Sequence, residues 1–334
     1  MQFWNFLRPS LGDIEAQAVR AEAQGWDGIT LTDSQNLAAD TYVALTLAAR
    51  ATTRLLVGPG VTNPLTRHAA VTAGAIASIH ALSGQRAVLG IGRGDSALFN
   101  IGHKPVKPAD FERYLHDVQR YLAGETIDKN GYPSRLQWLA QGAVGKVPME
   151  VSATGPKVIA IAARHAERVT FALGADPERA RWAIAELERN VPKGRPRPSP
   201  GLYVNVCVSD DPKRGAELIR GMVGTFAHFS SLPRASTVPT SEADASIFAD
   251  IDKGYEKAKH GRPDSAHAQA MPADFIERFA VVGDAEHVYR KLKALLNTGI
   301  ERLNIIGPRI DHFGEEAETA HARFASEVIP ALRG

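Results

Sequence analysis

Short apolar runs alternate along the chain with longer, alanine-rich stretches in which apolar positions recur at helical spacing. The runs at Gln2–Leu7, 28–32, 55–61, 87–92, Met149–Ala153, 168–173, 201–209 and 301–307 read as β-strands. Between them, 11–24, Thr41–Ala51, Ala69–Leu82, Pro108–Leu122, Pro156–His165, Pro177–Asn190 and Ala285–Leu296 read as helices. LLVG, AVLGIG and LNIIG are apolar at consecutive positions, as in strands covered on both faces. Strands alternating with helices predict a parallel sheet. Eight of them in 334 residues predict an α/β fold closed into a (β/α)8 TIM barrel, a single domain over 1–334.

Polar, glycine-containing excursions at 100–108 and 132–147 break the rhythm. A larger one at 225–272, rich in Ser, Ala, Asp and Pro, reads as an inserted segment near the C-terminal strands. A tolerated surface insertion would have this composition, and so would a lid over the strand ends. As a lid it would bring Phe226, His228, Phe229 and Tyr255 to the substrate.

Composition narrows the function classes. A net charge of +2 provides no electrostatic case for nucleic acid or a membrane surface. No apolar run approaches a membrane span, and the N-terminus lacks a signal-peptide pattern, so the expected location is the cytoplasm. The single cysteine, Cys207, excludes an intramolecular disulfide and any cysteine-based metal cluster, and its apolar surroundings make it a core residue.

In such a barrel the reactive face lies at the C-terminal ends of the strands. The second strand exits through Asp33 and Ser34, where a carboxylate can orient a ligand or cap a turn. The third exits through VGPGVTNPLTRHAA, whose glycines and prolines exceed the needs of a turn. Pro59 forbids a donor, Gly60 permits close approach by a ligand ring, Asn63 turns the chain, and Thr66 is placed to cap the next helix. Arg67 and His68 sit where the helix dipole disfavours cations, which hints at a site. The fourth exit, GIGRGDSAL, lacks the immediate helix of a dinucleotide fingerprint, leaving Gly92, Arg93, Gly94 and Asp95 at the mouth. The fifth, Ser152-Ala153-Thr154-Gly155-Pro156-Lys157, runs from a strand straight into a helix, the pattern of an anion site or of an ordinary capped turn. The sixth contains Gly174, which leaves room for a ring or phosphate.

The chain lacks a P-loop, a metalloprotease helix, a metal-ligand cluster (so no metal is expected) and a nucleophile elbow. No lysine lies inside a predicted strand, which disfavours a Schiff-base lyase. A mouth rich in backbone and poor in nucleophiles suits a protein whose cofactor carries the reaction.

Together, VGPGVTNPLTRHAA, GIGRGDSAL and SATGPKVIAIAARHAERV resemble the bacterial luciferase-like family of flavin- and F420-dependent oxidoreductases, in its methylenetetrahydromethanopterin reductase-like branch. The resemblance implies a TIM barrel carrying FMN or coenzyme F420, with a non-prolyl cis peptide at Gly60–Val61 behind the ring. It implies a phosphate site at Thr154, Gly155, Pro156 and Lys157, a cofactor side chain along Gly92–Asp95, and Asp33 near the reacting ring. Asn5 stands where the reductases carry a glutamate, and Asp33-Ser34 stand where bacterial luciferase has a histidine. Asp33, Asn5 and His68 are the catalytic candidates. The leading expectation is an FMN-dependent monooxygenase acting on a small organic molecule, a homodimer served by a separate flavin reductase. An F420-dependent hydride-transfer enzyme and a non-catalytic flavin-binding protein are the alternatives.

Overall fold

The computed structural model describes residues 1–139, 144–231 and 237–334. Eight parallel strands form the barrel: β1 Gln2–Leu7, β2 Gly28–Leu31, β3 Leu56–Pro59, β4 Leu89–Ile91, β5 Met149–Ala153, β6 Arg168–Phe171, β7 Ser199–Val208 and β8 Arg302–Ile306. They pair in the order β3-β2-β1-β8-β7-β6-β5-β4. Isolated bridges Val57–Ala87 and Thr62–Ile91 close the ring between β3 and β4. Residues 58–61 bulge between those bridges, and here the glycines prove indispensable to the fold. A Cβ on Gly58 would lie 2.4 Å from the Val88 carbonyl oxygen, and one on Gly90 2.1 Å from that of Pro59. A Cβ on Gly60 would meet Thr30 at 2.6 Å, so close strand packing by itself demands this glycine.

The helices wrap the outside: α1 Ile14–Ala23, α2 Thr41–Ala51, α3 Ala69–Leu82, α4 Pro108–Leu122, α5 Pro156–His165 and α6 Pro177–Asn190 precede α7, Pro212–Ser231. Asp40 and Asp176 cap α2 and α6 with side-chain carboxylates, a role their short acceptors suit. Beyond α7 the chain forms α8 (Glu242–Lys253) and α9 (Ala273–Phe279) before returning to the barrel through α10 (Ala285–Leu296), β8 and α11 (Ile310–Arg323). Thr225, where the sequence rhythm breaks, lies inside the continuous helix α7. Its chain exit is thus later than composition suggests, and the described part of the 225–272 segment, which leaves out 232–236, is largely helical rather than irregular. Of the 132–147 excursion, residues 140–143 lie outside the described residues, and Tyr132–Ser134 pairs with Ile127–Lys129 as a small antiparallel hairpin.

Period-2 alternation divides each strand between two environments. Phe3, Ile29, Val57, Leu89, Val151, Val169, Leu202 and Leu303 join the apolar layer beneath the helices. The alternate residues fill the barrel and are unusually polar. Glu150 pairs with Arg302 at 3.1 Å, both side chains almost fully buried, and Thr170 donates to Glu150 at 2.7 Å. Arg168 lies over the Trp4 ring at 5.6 Å, and a Cβ on Gly28 would strike that indole at 2.6 Å. This layer plugs the barrel beneath the strand exits. Cys207 is buried and burial raises its thiol well above the ordinary range. Among the described residues no helix is long and apolar enough to cross a membrane.

Candidate active site

A cavity of about 960 Å³ opens at the C-terminal ends of the strands. Asp33, Gly60, Val61, Asn63, Gly92, Arg93, Gly94, Asp95, Ser152, Thr154, Gly155, Pro156 and Lys157 all line it. Its size lies at the upper end of small-molecule sites.

The other candidates lie elsewhere. Asn5 shares the outward parity of Phe3 and Leu7 and faces a separate cleft between α1 and α11, so it is not placed to act at the mouth. His68 is exposed and caps α3, its Nδ1 accepting from the Ala70 amide at 3.2 Å. That hydrogen bond also corrects the expectation that Thr66 is the cap. Ala153 points outward into the apolar layer. Pro59 ends β3, and its carbonyl packs against Gly90. Gly174 has φ +75° because the turn needs it, and a Cβ there would meet the Phe279 ring at 2.7 Å. It leaves no space for a ligand.

Asp33 is buried and fully engaged. Its Oδ2 accepts from Thr62 Oγ1 at 2.7 Å and from Arg67 Nη1 at 2.8 Å, and Oδ1 accepts from Gln35 at 2.7 Å. Burial raises its carboxyl above the ordinary range, opposed by the Thr62 hydroxyl and the Arg67 guanidinium. Arg67 also pairs with Asp40 at 2.7 Å and covers the Tyr42 ring. The odd cation before α3 therefore organises the second and third strand exits.

The wall behind the cavity carries the cis peptide Gly60–Val61. Val61 is wedged against Gly92, where a Cβ would lie 2.9 Å from its Cγ2. Asn63 is almost fully buried. Its Oδ1 accepts from the Leu65 and Thr66 amides at 3.0 and 3.1 Å, fixing the turn, while Nδ2 has no partner among the described residues. A buried donor left open beside a cavity costs about 1–3 kcal/mol, a cost that a ligand acceptor placed there would remove. Opposite it, Gly155 caps α5 with extended φ/ψ and Pro156 takes the first turn. The amide groups of that helix start, with Lys157 exposed next to them, suit a phosphate.

Sequence reasoning missed the far side, formed by Phe6, Leu7, Ala172, Tyr203, Met222, His260 and Arg309, together with the lid candidates Phe226 and Phe229. His228 lies just behind, with Nε2 3.1 Å from Asp95 Oδ2 and Nδ1 3.4 Å from Asp252 Oδ1. Tyr255 stacks on its ring at 3.7 Å and hydrogen-bonds His260 Nδ1 at 2.6 Å. Among the described residues no cluster of three or more His, Cys, Asp or Glu is placed to hold a metal ion.

Residues 5–302 match the family model for luciferase-like monooxygenases. The chain is 28% identical over 326 residues to a 5,10-methylenetetrahydromethanopterin reductase of Methanolobus tindarius, covering 95% of each. It is 26% identical over 345 residues to an F420-dependent glucose-6-phosphate dehydrogenase of Beutenbergia cavernae, covering 96% of this chain and 93% of that one. In structure it is similar to the coenzyme F420 dependent tetrahydromethanopterin reductase of Methanopyrus kandleri, with a TM-score of 0.77 over 99% of both chains at 23% identity.

Proposed function

Because this chain belongs to the luciferase-like family, and is thus an oxidoreductase using a flavin-type cofactor, we propose that the cofactor is F420 and the reaction hydride transfer with an organic substrate. The observation that carries this choice is the similarity over more than nine-tenths of the chain to an enzyme named as F420-dependent. It moves the reading away from the FMN monooxygenase that the sequence motifs put first.

The site fits such a group. The Gly60–Val61 wall would back the ring, and Asn63 Nδ2 would meet a ring acceptor. Gly92–Asp95 would border the side chain, and Thr154–Lys157 would receive the phosphate. When bound, F420 supplies a carbon centre that takes or returns a hydride. The residues of the chain orient it, and Phe6, Phe226 and Phe229 exclude water from its open face. Asp33, held by three hydrogen bonds, fixes the Thr62 and Arg67 turn instead of exchanging protons. A homodimer goes with this reading, since Val43, Leu65 and Val71 leave large apolar side chains exposed on neighbouring elements. Light scattering of the eluting protein tests it.

Separate fluorescence titrations with F420 and FMN decide the cofactor. Micromolar F420 binding with FMN at least tenfold weaker supports the reading. Preference for FMN, with oxygen consumed when reduced FMN is supplied, overturns it in favour of the monooxygenase.

A further inference from the structure

The far half of the cavity is apolar apart from a few polar groups, most of which are already committed. Arg309 places Nε and Nη2 on Asp311 at 2.9 and 2.5 Å and Nη1 on the His260 carbonyl at 3.2 Å. Arg8 shares Asp311 and also donates to the Leu37 carbonyl. The two arginines thus share one carboxylate, and their remaining printed contacts are backbone carbonyls. His260 differs. Its Nδ1 is held by the Tyr255 hydroxyl at 2.6 Å, while Nε2 makes no hydrogen bond among the described residues; the residue lines the cavity, its ring 6.0 Å from that of Phe229.

We propose that His260, presenting Nε2–H, donates a hydrogen bond to the reacting oxygen of a largely apolar carbonyl substrate, and that Tyr255 is the positioning residue that sets its tautomer. The inference rests on the hydride-transfer reading above. In this proposal the Tyr255 hydroxyl donates to Nδ1, 2.6 Å away, which places the proton of the neutral imidazole on Nε2. The ring stays neutral, since burial brings it down to about 4; Asp95 opposes this, and His228, Arg309 and His267 add to it. A neutral imidazole polarises a carbonyl without adding a buried charge.

As a hydride from reduced F420 adds to the carbonyl carbon, the C=O π pair becomes a lone pair on oxygen. That oxygen takes the Nε2 proton, Nδ1 takes the Tyr255 hydroxyl proton, and solvent restores the tyrosine. The products are the alcohol and oxidised F420.

Nitrogen-15 NMR of the histidine-labelled full chain tests this, with the His260 signals assigned by their loss in His260→Gln. The expected spectrum shows Nε2 protonated and Nδ1 bare from about pH 6 to 8. Tyr255→Phe is expected to move the proton towards Nδ1 with F420 affinity unchanged. An imidazolium, an Nδ1–H tautomer in the unsubstituted chain, or no change in Tyr255→Phe overturns the Tyr255 assignment.

With F420 bound, cyclohexanone is the probe carbonyl. It is expected to shift the Nε2–H signal, and His260→Ala is expected to lower kcat for its reduction about 100-fold, with partial rescue by His260→Gln. Bound F420 with no response to cyclohexanone overturns the substrate contact. Failure to bind F420 instead overturns the cofactor reading, and the tautomer, read on the chain alone, is judged separately.

Discussion

Gly155→Asp separates cofactor recognition from fold stability, because its two effects have opposite signs. Gly155 is the N-cap of α5 with φ −107° and ψ 162°, a conformation that any residue adopts. Aspartate is a better cap than glycine by a few tenths of a kcal/mol, because its carboxylate accepts from the first-turn amides. The same carboxylate occupies the donors proposed for the phosphate and sets a negative charge beside it. At a separation of about 5 Å and an effective dielectric of about 20, one pair of like charges costs roughly 3 kcal/mol. That is about two orders of magnitude in affinity. The variant is expected to melt at or slightly above the parent temperature, and to bind F420 about 100-fold more weakly by fluorescence titration. Added salt should narrow the gap. Parent-like affinity in a protein that melts normally would remove the phosphate from the α5 terminus.

Asn63→Asp keeps the acceptor that fixes the Leu65–Thr66 turn and deletes the unpartnered donor. F420 affinity is expected to fall about tenfold, and the urea midpoint is expected to drop because the new carboxylate is buried; unchanged affinity would remove Asn63 from the cofactor site. Arg67→Gln leaves the Asp33 carboxylate without its cation. A carboxyl raised by burial holds its proton more tightly folded than unfolded, so the variant should match the parent below about pH 4 and lose stability as pH rises through the raised value. Denaturation at several pH values reads this directly, and a pH-independent deficit would contradict it. Glu150→Ala strands Arg302 inside the barrel beside Arg168 and is expected to cost about 3–5 kcal/mol; a urea midpoint near the parent's would show the interior ion pair to be dispensable.

The architecture was legible because each strand and its following helix announce themselves locally. Thr41–Ala51, Ala69–Leu82, Pro108–Leu122, Pro156–His165 and Pro177–Asn190 have the bounds their capping residues and apolar spacing predict. The Gly60–Val61 wall of the cavity was legible for a related reason: it is made of backbone, and backbone constraints are written as Gly, Pro and Asn. Side-chain direction was harder to read. QFWNFL is apolar on both faces, so nothing in it says whether the face of Phe3 and Asn5 or that of Trp4 and Phe6 looks into the barrel. His68 shows the same limit, since a histidine at a helix start can cap or catalyse, and only its exposure decides. His260 was invisible because its partners come from α7, the chain after α8 and the β4 exit, and no spacing in the sequence joins them.

His228 sits between Asp95, on the cavity wall, and Asp252, on α8 of the inserted segment. The segment beyond α7 and the β4 exit therefore share one imidazole as a spacer. With the cofactor bordering Asp95 as proposed, whatever shifts α8 would shift that border as well, so the chain with its cofactor bound should breathe less at the mouth than the same chain without it.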